Sequence, residues 1–201
     1  MTAVDTTVAN ATEHRARLLE GMARAVAAKG YADTTIADIV REASVSRRTF
    51  YENFSDKSGC LIALYEAASG NALAVLRRAI DPASDWKTQV EQALSAYLGV
   101  LARNPVLLRT LFVEILGLGA PGLAARRHAT RALADLMVDV VNTRTGERPR
   151  QTPLDPTIAV AVVGGINEMV LDAIEQGRAA DLQALVRPAA ALLQAVVAAD
   201  C

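Results

Sequence analysis

The spacing of apolar residues constrains this chain more than anything else in it. Over most of its length they recur at intervals of three and four, as one face of an α-helix requires. Most interruptions carry a Pro, a Gly or a residue able to cap a helix. No stretch reads as a strand, and no repeat or low-complexity tract stands out. The pattern predicts an all-α fold of about nine helices.

The residues 1–11 read as a flexible tail. Thr12 can cap a first helix whose Leu18, Met22, Ala25 and Val26 share a face, with Gly30 at its end in the left-handed position. Thr34 or Thr35 can cap a short second helix, "IADIVREA". Ser46 can cap a third, "RRTFYENF", and Asp56 a fourth, which runs to Asp81-Pro82. A fifth places Trp86, Val90, Leu94, Tyr97 and Leu101 on one stripe, and Pro105 can open a sixth, "PVLLRTLFVEILGLG". A seventh spans roughly 122–145. A polar, Pro-containing loop covers 145–156, and two apolar helices follow, about 156–176 and 181–199, with Pro188 as a kink in the last. The change from short helices to long ones at 55–60 divides the chain into 12–56 and 57–201.

Charge and composition exclude more than they select. With 21 Lys+Arg against 22 Asp+Glu, no global basic field exists, so a nucleic-acid partner must be met by a local patch. Cys60 and Cys201 lie far apart, and His14 and His128 have no ligand spacing, so neither a disulfide framework nor a metal site is expected. A reducing, cytoplasmic setting fits. The N-terminal stretch lacks a signal-peptide pattern. The longest apolar run, "IAVAVVGGI", is about half of a membrane span, so no membrane partner is expected. No nucleophile–base pair, phosphate loop or metal cluster appears, which argues against an enzyme and against a cofactor.

The informative segment is "ASVSRRTFYENF", residues 43–54. With Ser46 as N-cap, Val45 and Phe50 occupy the positions of a hydrophobic staple. Phe50 and Phe54 share a face and can dock the short helix on the first two. Arg48 and Glu52 then point away, Thr49 and Tyr51 flank them, and Arg47 fans out from the first turn. Arg reads guanine edges bidentately and Thr can meet a base edge or a thymine methyl. Tyr and Lys hold phosphates, and Lys57 stands at a helix start whose amides can do the same. Helix, turn and helix make a helix-turn-helix. On spacing alone, the same segment is equally a solvated arginine face on an ordinary three-helix unit.

The segment "TTIADIVREASVSRRTFYENFSDKSGCLIALYE", 34–66, resembles the DNA-binding region of the tetracycline-repressor (TetR) family. The likeness rests on a Thr-capped helix, a Val-Ser turn, a Thr-aromatic-Tyr triplet, a Phe three residues on, then Lys and an apolar helix start. It implies an all-helical homodimer on a palindromic double-stranded DNA operator, most often a repressor released by a small molecule. By position, Thr35, Ser46, Arg47, Arg48, Thr49, Tyr51, Asn53 and Lys57 fall in the DNA-contacting set. Five positions depart from the pattern, one of them Arg48, which stands before the Thr where Gly or Pro is common and adds a base-reading candidate. Ser44 stands where Gly is usual, at a left-handed cost of roughly 1 kcal/mol. Val40 stands where a small residue lets two helices cross, Asn53 where His is common, and Cys60 where an aliphatic residue is usual. The competing reading is a helical ligand-binding or scaffold protein whose helix-turn-helix no longer reads DNA.

Beyond residue 57, Trp86, Tyr97, Phe112, Met137 and Met169 lie on apolar faces, either as core or as the lining of an effector pocket. Glu114, alone among apolar neighbours, is either a pocket group or a structural partner. The helices at 156–176 and 181–199 are small and aliphatic, and Gly164-Gly165 costs helix stability without a close backbone neighbour. Gly164, Gly165, Leu185 and Leu192 are the expected dimer-interface residues.

Overall fold

The computed structural model describes residues 3–143 and 153–198, with side chains from residue 12 onward. Among these, nine α-helices and two 3-10 turns form the fold, and no strand occurs. The helices are α1 (Ala3–Asp33), α2 (Ile36–Ala43), α3 (Arg47–Asn53), α4 (Lys57–Ala79), α5 (Trp86–Ala102), α6 (Pro105–Phe112), α7 (Ala120–Asn142), α8 (Pro156–Glu175) and α9 (Val186–Ala198). The 3-10 turns are Glu114–Leu118 and Leu182–Leu185.

Most expected punctuation is present. Thr35, Ser46, Asp85 and Asp155 each cap a helix through a side-chain oxygen. Asp56 accepts from the Gly59 N–H at 2.7 Å and Asn104 from the Leu107 N–H at 3.0 Å. Three expectations need correction. Residues 3–11, read as a tail, belong to α1, because nothing between Ala3 and Lys29 breaks a helix and Thr12 is not its cap. The sixth helix stops at Phe112 and tightens into a 3-10 turn. Pro188 does not kink the last helix. It lies in the first turn of α9, where a missing N–H leaves no hydrogen bond unmade. Most of the expected loop at 145–156 lies outside the described residues.

The chain divides into two compact units, one of Met1–Ala67 with Arg109–Ala125, the other of Ala68–Leu108 with Arg126–Cys201. The division differs from one at residue 57: α4 contributes to both, and the segment around the first 3-10 turn joins the N-terminal helices. In the first unit Leu18, Met22, Val26, Ile39 and Phe50 are fully buried. The second has two contiguous cores. One joins Val90 and Leu94 of α5 to Val162 and Ile166 of α8 and Ala189 and Ala190 of α9. The other joins Ala134 and Val141 of α7 to Leu154, Ala159, Val163 and Val197. By length and composition α4 and α8 could each cross a bilayer, but the apolar face of α8 is the one built into these cores.

Candidate nucleic-acid interface and effector cavity

The helix-turn-helix is assembled from polar groups at helix ends. Thr35 forms a capping box with Asp38: the Asp38 N–H donates to Thr35 Oγ1, and Asp38 Oδ2 accepts the Thr35 N–H at 2.9 Å and its hydroxyl at 2.6 Å. The same carboxylate accepts from Lys29 Nζ at 2.5 Å and from the Arg41 guanidinium at 3.0 Å. The Lys29 ammonium first, then the Thr35 hydroxyl and amide, hold the Asp38 carboxyl well below the usual carboxylate range. At the far end of α2, Ser44 adopts the left-handed conformation (φ 52°, ψ 46°) reserved for Gly in most such turns. Arg17 on α1 donates to the carbonyls of Ala43 and Ser44, and Arg24 to that of Glu42. These arginines, seven apart and so on one face of α1, supply the orphan carbonyls of α2 with donors. Their spacing was the available signal for a role that the motif did not suggest.

A close crossing of α1 and α2 sits at Gly21. A methyl at Gly21 would lie 2.7 Å from the Ile39 carbonyl oxygen and 2.8 Å from the Ala43 nitrogen.

α3 is anchored as its apolar spacing predicts. Phe50 is fully buried and Phe54 nearly so, with ring centroids 5.8 Å apart, and the Arg15 guanidinium lies over Phe54 at 4.6 Å. The outward groups divide into spent and available ones. Ser46 caps α3 by accepting the Thr49 N–H at 3.0 Å, and its hydroxyl also meets that of Thr49 at 2.9 Å. Asn53 donates to the Thr49 carbonyl at 2.8 Å. Arg48 is exposed and pairs with Glu52 at 2.9 Å along its own helix. Arg47 is exposed and has no hydrogen bond or ion pair to a described residue, and Tyr51 is 59 % exposed.

Lys57 corrects the expectation of a free phosphate-binding ammonium. Its Nζ donates to the carbonyls of Tyr31 (2.9 Å) and Thr34 (2.8 Å) and sits 4.2 Å from the centre of the Tyr31 ring. Gly30, at φ 79° and ψ 164°, kinks α1 just before these carbonyls, and that of Tyr31 also accepts the Thr34 N–H at 3.2 Å. Cys60 is fully buried, and burial pushes its thiol up to about 12, so it is no thiolate at neutral pH.

Residues 18–64, which contain α2, α3 and their packing face on α1, match the family described as bacterial regulatory proteins, tetR family. The N-terminal domain is a tetR-family domain. A relative, the HTH-type transcriptional activator FasR of Mycolicibacterium smegmatis, is 24 % identical over 135 residues, 67 % of this chain. That match spans 61 % of the relative's own length. Among solved structures, the fatty acid degradation regulator FadR of Bacillus halodurans superposes with a TM-score of 0.72 at 20 % identity, over 89 % of this chain and 93 % of that one. The transcriptional regulator FadR of Bacillus subtilis, in complex with stearoyl-CoA, superposes with a TM-score of 0.68 at 20 % identity, over 88 % and 96 %. At these identities the likeness is one of fold. The tetR family and these neighbours are regulators, not enzymes.

The second unit contains a cavity of about 100 Å³, measured as the space open to the centre of a water molecule. Leu76 of α4 and Ile80 just beyond its end close one part of it, and α5, α7, α8 and Leu193 of α9 supply the rest. Trp86, Tyr97 and Met137 line it, as expected from their stripes. Three of the expected effector residues do not. Met169 packs on the core of α5, α8 and α9, because α8 turns it away from the cavity side. Phe112 and Glu114 belong to the other unit. There the Glu114 carboxylate accepts the Tyr31 N–H at 3.0 Å, so its role is to satisfy the backbone where α1 ends. Sequence reasoning missed Gln89 and Asn167, the two carboxamides in a wall that carries no charge.

The expected interface residues separate likewise. Gly165 faces Leu192 of its own chain: a methyl there would lie 3.2 Å from Leu192 Cδ2. Gly164 has open space where its side chain would be. Leu185 is half-buried at the end of the second 3-10 turn.

Proposed function

We propose that this protein is a cytoplasmic, one-component transcriptional regulator that binds a palindromic operator as a homodimer and loses operator affinity when an apolar effector fills its cavity. One observation carries the reading. A seven-residue helix is fixed from beneath by Phe50 and presents Arg47, Arg48 and Tyr51 to solvent, in a chain with no net basic charge to spend. Arg47 has the freedom to reach a guanine edge, while Arg48 must first leave Glu52. The helix N-termini of α3 and α4 supply phosphate-facing amides in place of Lys57. Repression is the direct consequence of operator occupancy. FasR is an activator, and the placement of an operator relative to its promoter sets that sign.

The homodimer rests on α8 and α9. Ile158, Val160 and Gly164 of α8 and Pro188, Ala191 and Ala195 of α9 are exposed or open, a small, aliphatic surface of the kind helices bury against a second copy. The solved Bacillus subtilis FadR binds stearoyl-CoA, and the uncharged, aliphatic wall of this cavity suits an acyl chain. α4 belongs to both units, so a ligand that shifts it would change how two readers meet successive major-groove faces about 34 Å apart.

Selection of bound sites from a random duplex pool tests the reading. The expected product is a palindrome, on which Arg47→Ala costs about 1–3 kcal/mol and relaxes preference at one base pair per half-site. A pool that converges on no palindrome, or an equal loss on random DNA, removes the base-reading role. Gly164→Leu, which has room in its own chain, should give monomers by mass measurement, and an unaltered dimer would move the interface elsewhere.

A further inference from the structure

Asn167 stands in an unfavourable place. It lies on the stripe of α8 that also carries Val163, Ile166 and Val170, all buried; itself half-buried, it faces the cavity among aliphatic neighbours. Its carboxamide makes no hydrogen bond to any described residue. The cavity's other carboxamide is committed, since Gln89 Nε2 donates to the Ser84 carbonyl at 2.7 Å. A half-buried carboxamide on an otherwise aliphatic wall keeps hydrogen-bonding capacity that no described residue uses, where a leucine would add apolar contact instead. Positions where local rules are broken without a structural return are where function is found.

We infer that Asn167 is the specificity-determining polar contact of the effector cavity, donating from Nδ2 to the carbonyl oxygen of a neutral, otherwise apolar ligand. The inference rests on the reading of the cavity as an effector site. Among the described residues no lysine, arginine or histidine lines the wall, so a neutral group suits the buried end of the ligand better than a free carboxylate. A ketone, ester or thioester carbonyl offers an acceptor with no charge to desolvate, and the flanking side chains fit the aliphatic chain that carries it. The donor sits on one side of the cavity only, so it fixes which end of the ligand enters.

Trp86, the sole tryptophan, lines the cavity and reports occupancy by its emission. The full-length protein is titrated with 2-octanone and with octane, which share a chain and differ by one carbonyl. The loss of one hydrogen bond predicts that Asn167→Leu weakens 2-octanone about tenfold and leaves octane unchanged or tighter. Asn167→Ala, which cannot overfill the site, should show the same selective loss. Octanoyl-CoA and methyl octanoate in the same titration separate a thioester source of the carbonyl from a free ester. A selective loss for either supports the assignment, and no loss for both overturns it. Equal changes for 2-octanone and octane in both variants also overturn it, while leaving the cavity as an effector site. If no compound alters Trp86 emission in the unsubstituted protein, the cavity reading itself fails and the assignment with it.

Discussion

Asp38 and Leu154 are both nearly buried, at 7 % and 1 % exposure, yet opposite means hold them. Asp38 stays inside the helix-turn-helix because Thr35, Lys29 and Arg41 all donate to it. Leu154 stays inside the second unit because Ala134, Val141, Ala159, Val163 and Val197 surround it. The difference follows from helix length. Helices of seven and eight residues, as α3 and α2 are, have more end than middle, so their orphan amides and carbonyls must be satisfied by side chains. Helices of about twenty residues bury long aliphatic stripes, and their ends matter less. The reader is therefore a polar framework that fixes a surface, and the other unit is an aliphatic shell that can enclose a ligand.

The comparison breaks first at Leu154. Leu154→Ala should cost about 2–5 kcal/mol, the range for deleting a fully enclosed leucine. A loss below 1 kcal/mol in denaturant unfolding would mean that the shell is not close-packed there. Gly21→Ala should come next, at about 1–3 kcal/mol, because the new methyl meets backbone of α2 that cannot move alone. It should depress the helix-turn-helix and DNA binding together, whereas Leu154→Ala should spare the α1–α2 crossing. Amide hydrogen exchange, read helix by helix, distinguishes the two patterns.

Thr35→Ala should cost about 1 kcal/mol through loss of the α2 cap. Its partner gives the pH signature. The Asp38 carboxyl has its folded-state pKa depressed, so its stabilisation is fully present above the unfolded-state value near 4 and is lost as pH falls through the folded one. Acid should thus weaken the reader preferentially, and Asp38→Asn should flatten that acid limb in pH-dependent unfolding. A variant with the same acid profile as the parent would place the sensitivity elsewhere. The smallest expected effect is that of Glu52→Gln, which removes an exposed ion pair within α3 at roughly 0.3–0.5 kcal/mol. Because it frees Arg48 and removes a negative charge, it should tighten binding to all duplex DNA. Weaker binding in a salt-matched titration would assign Glu52 a positioning role on Arg48.

The apolar spacing, the caps Thr35, Ser46 and Asp56 and the Phe50–Phe54 pair were legible in the sequence because each acts within one turn of its own position. The tetR-like segment was legible for the same reason: its signature is local. What lay beyond the sequence required side chains from distant turns. Gly21 was not read as a crossing residue because its close approach to the α2 backbone appears only once α1 and α2 are packed. Lys57 read as a phosphate ligand until the carbonyls at the end of α1 came within 3 Å of it. Met169 read as a pocket residue because an apolar stripe does not say which of two neighbours it faces, and Glu114 stood open between a pocket and a structural role until the Tyr31 N–H came within reach of it. Asn167 was overlooked because one polar residue on an apolar stripe is unremarkable until the cavity in front of it is known. Sequence by itself thus determined the helices, their ends and the outward face of α3, since periodicity and capping are short-range. Tertiary structure alone decided which polar groups are spent and which remain free, since a hydrogen bond is settled only by what the rest of the fold brings within reach.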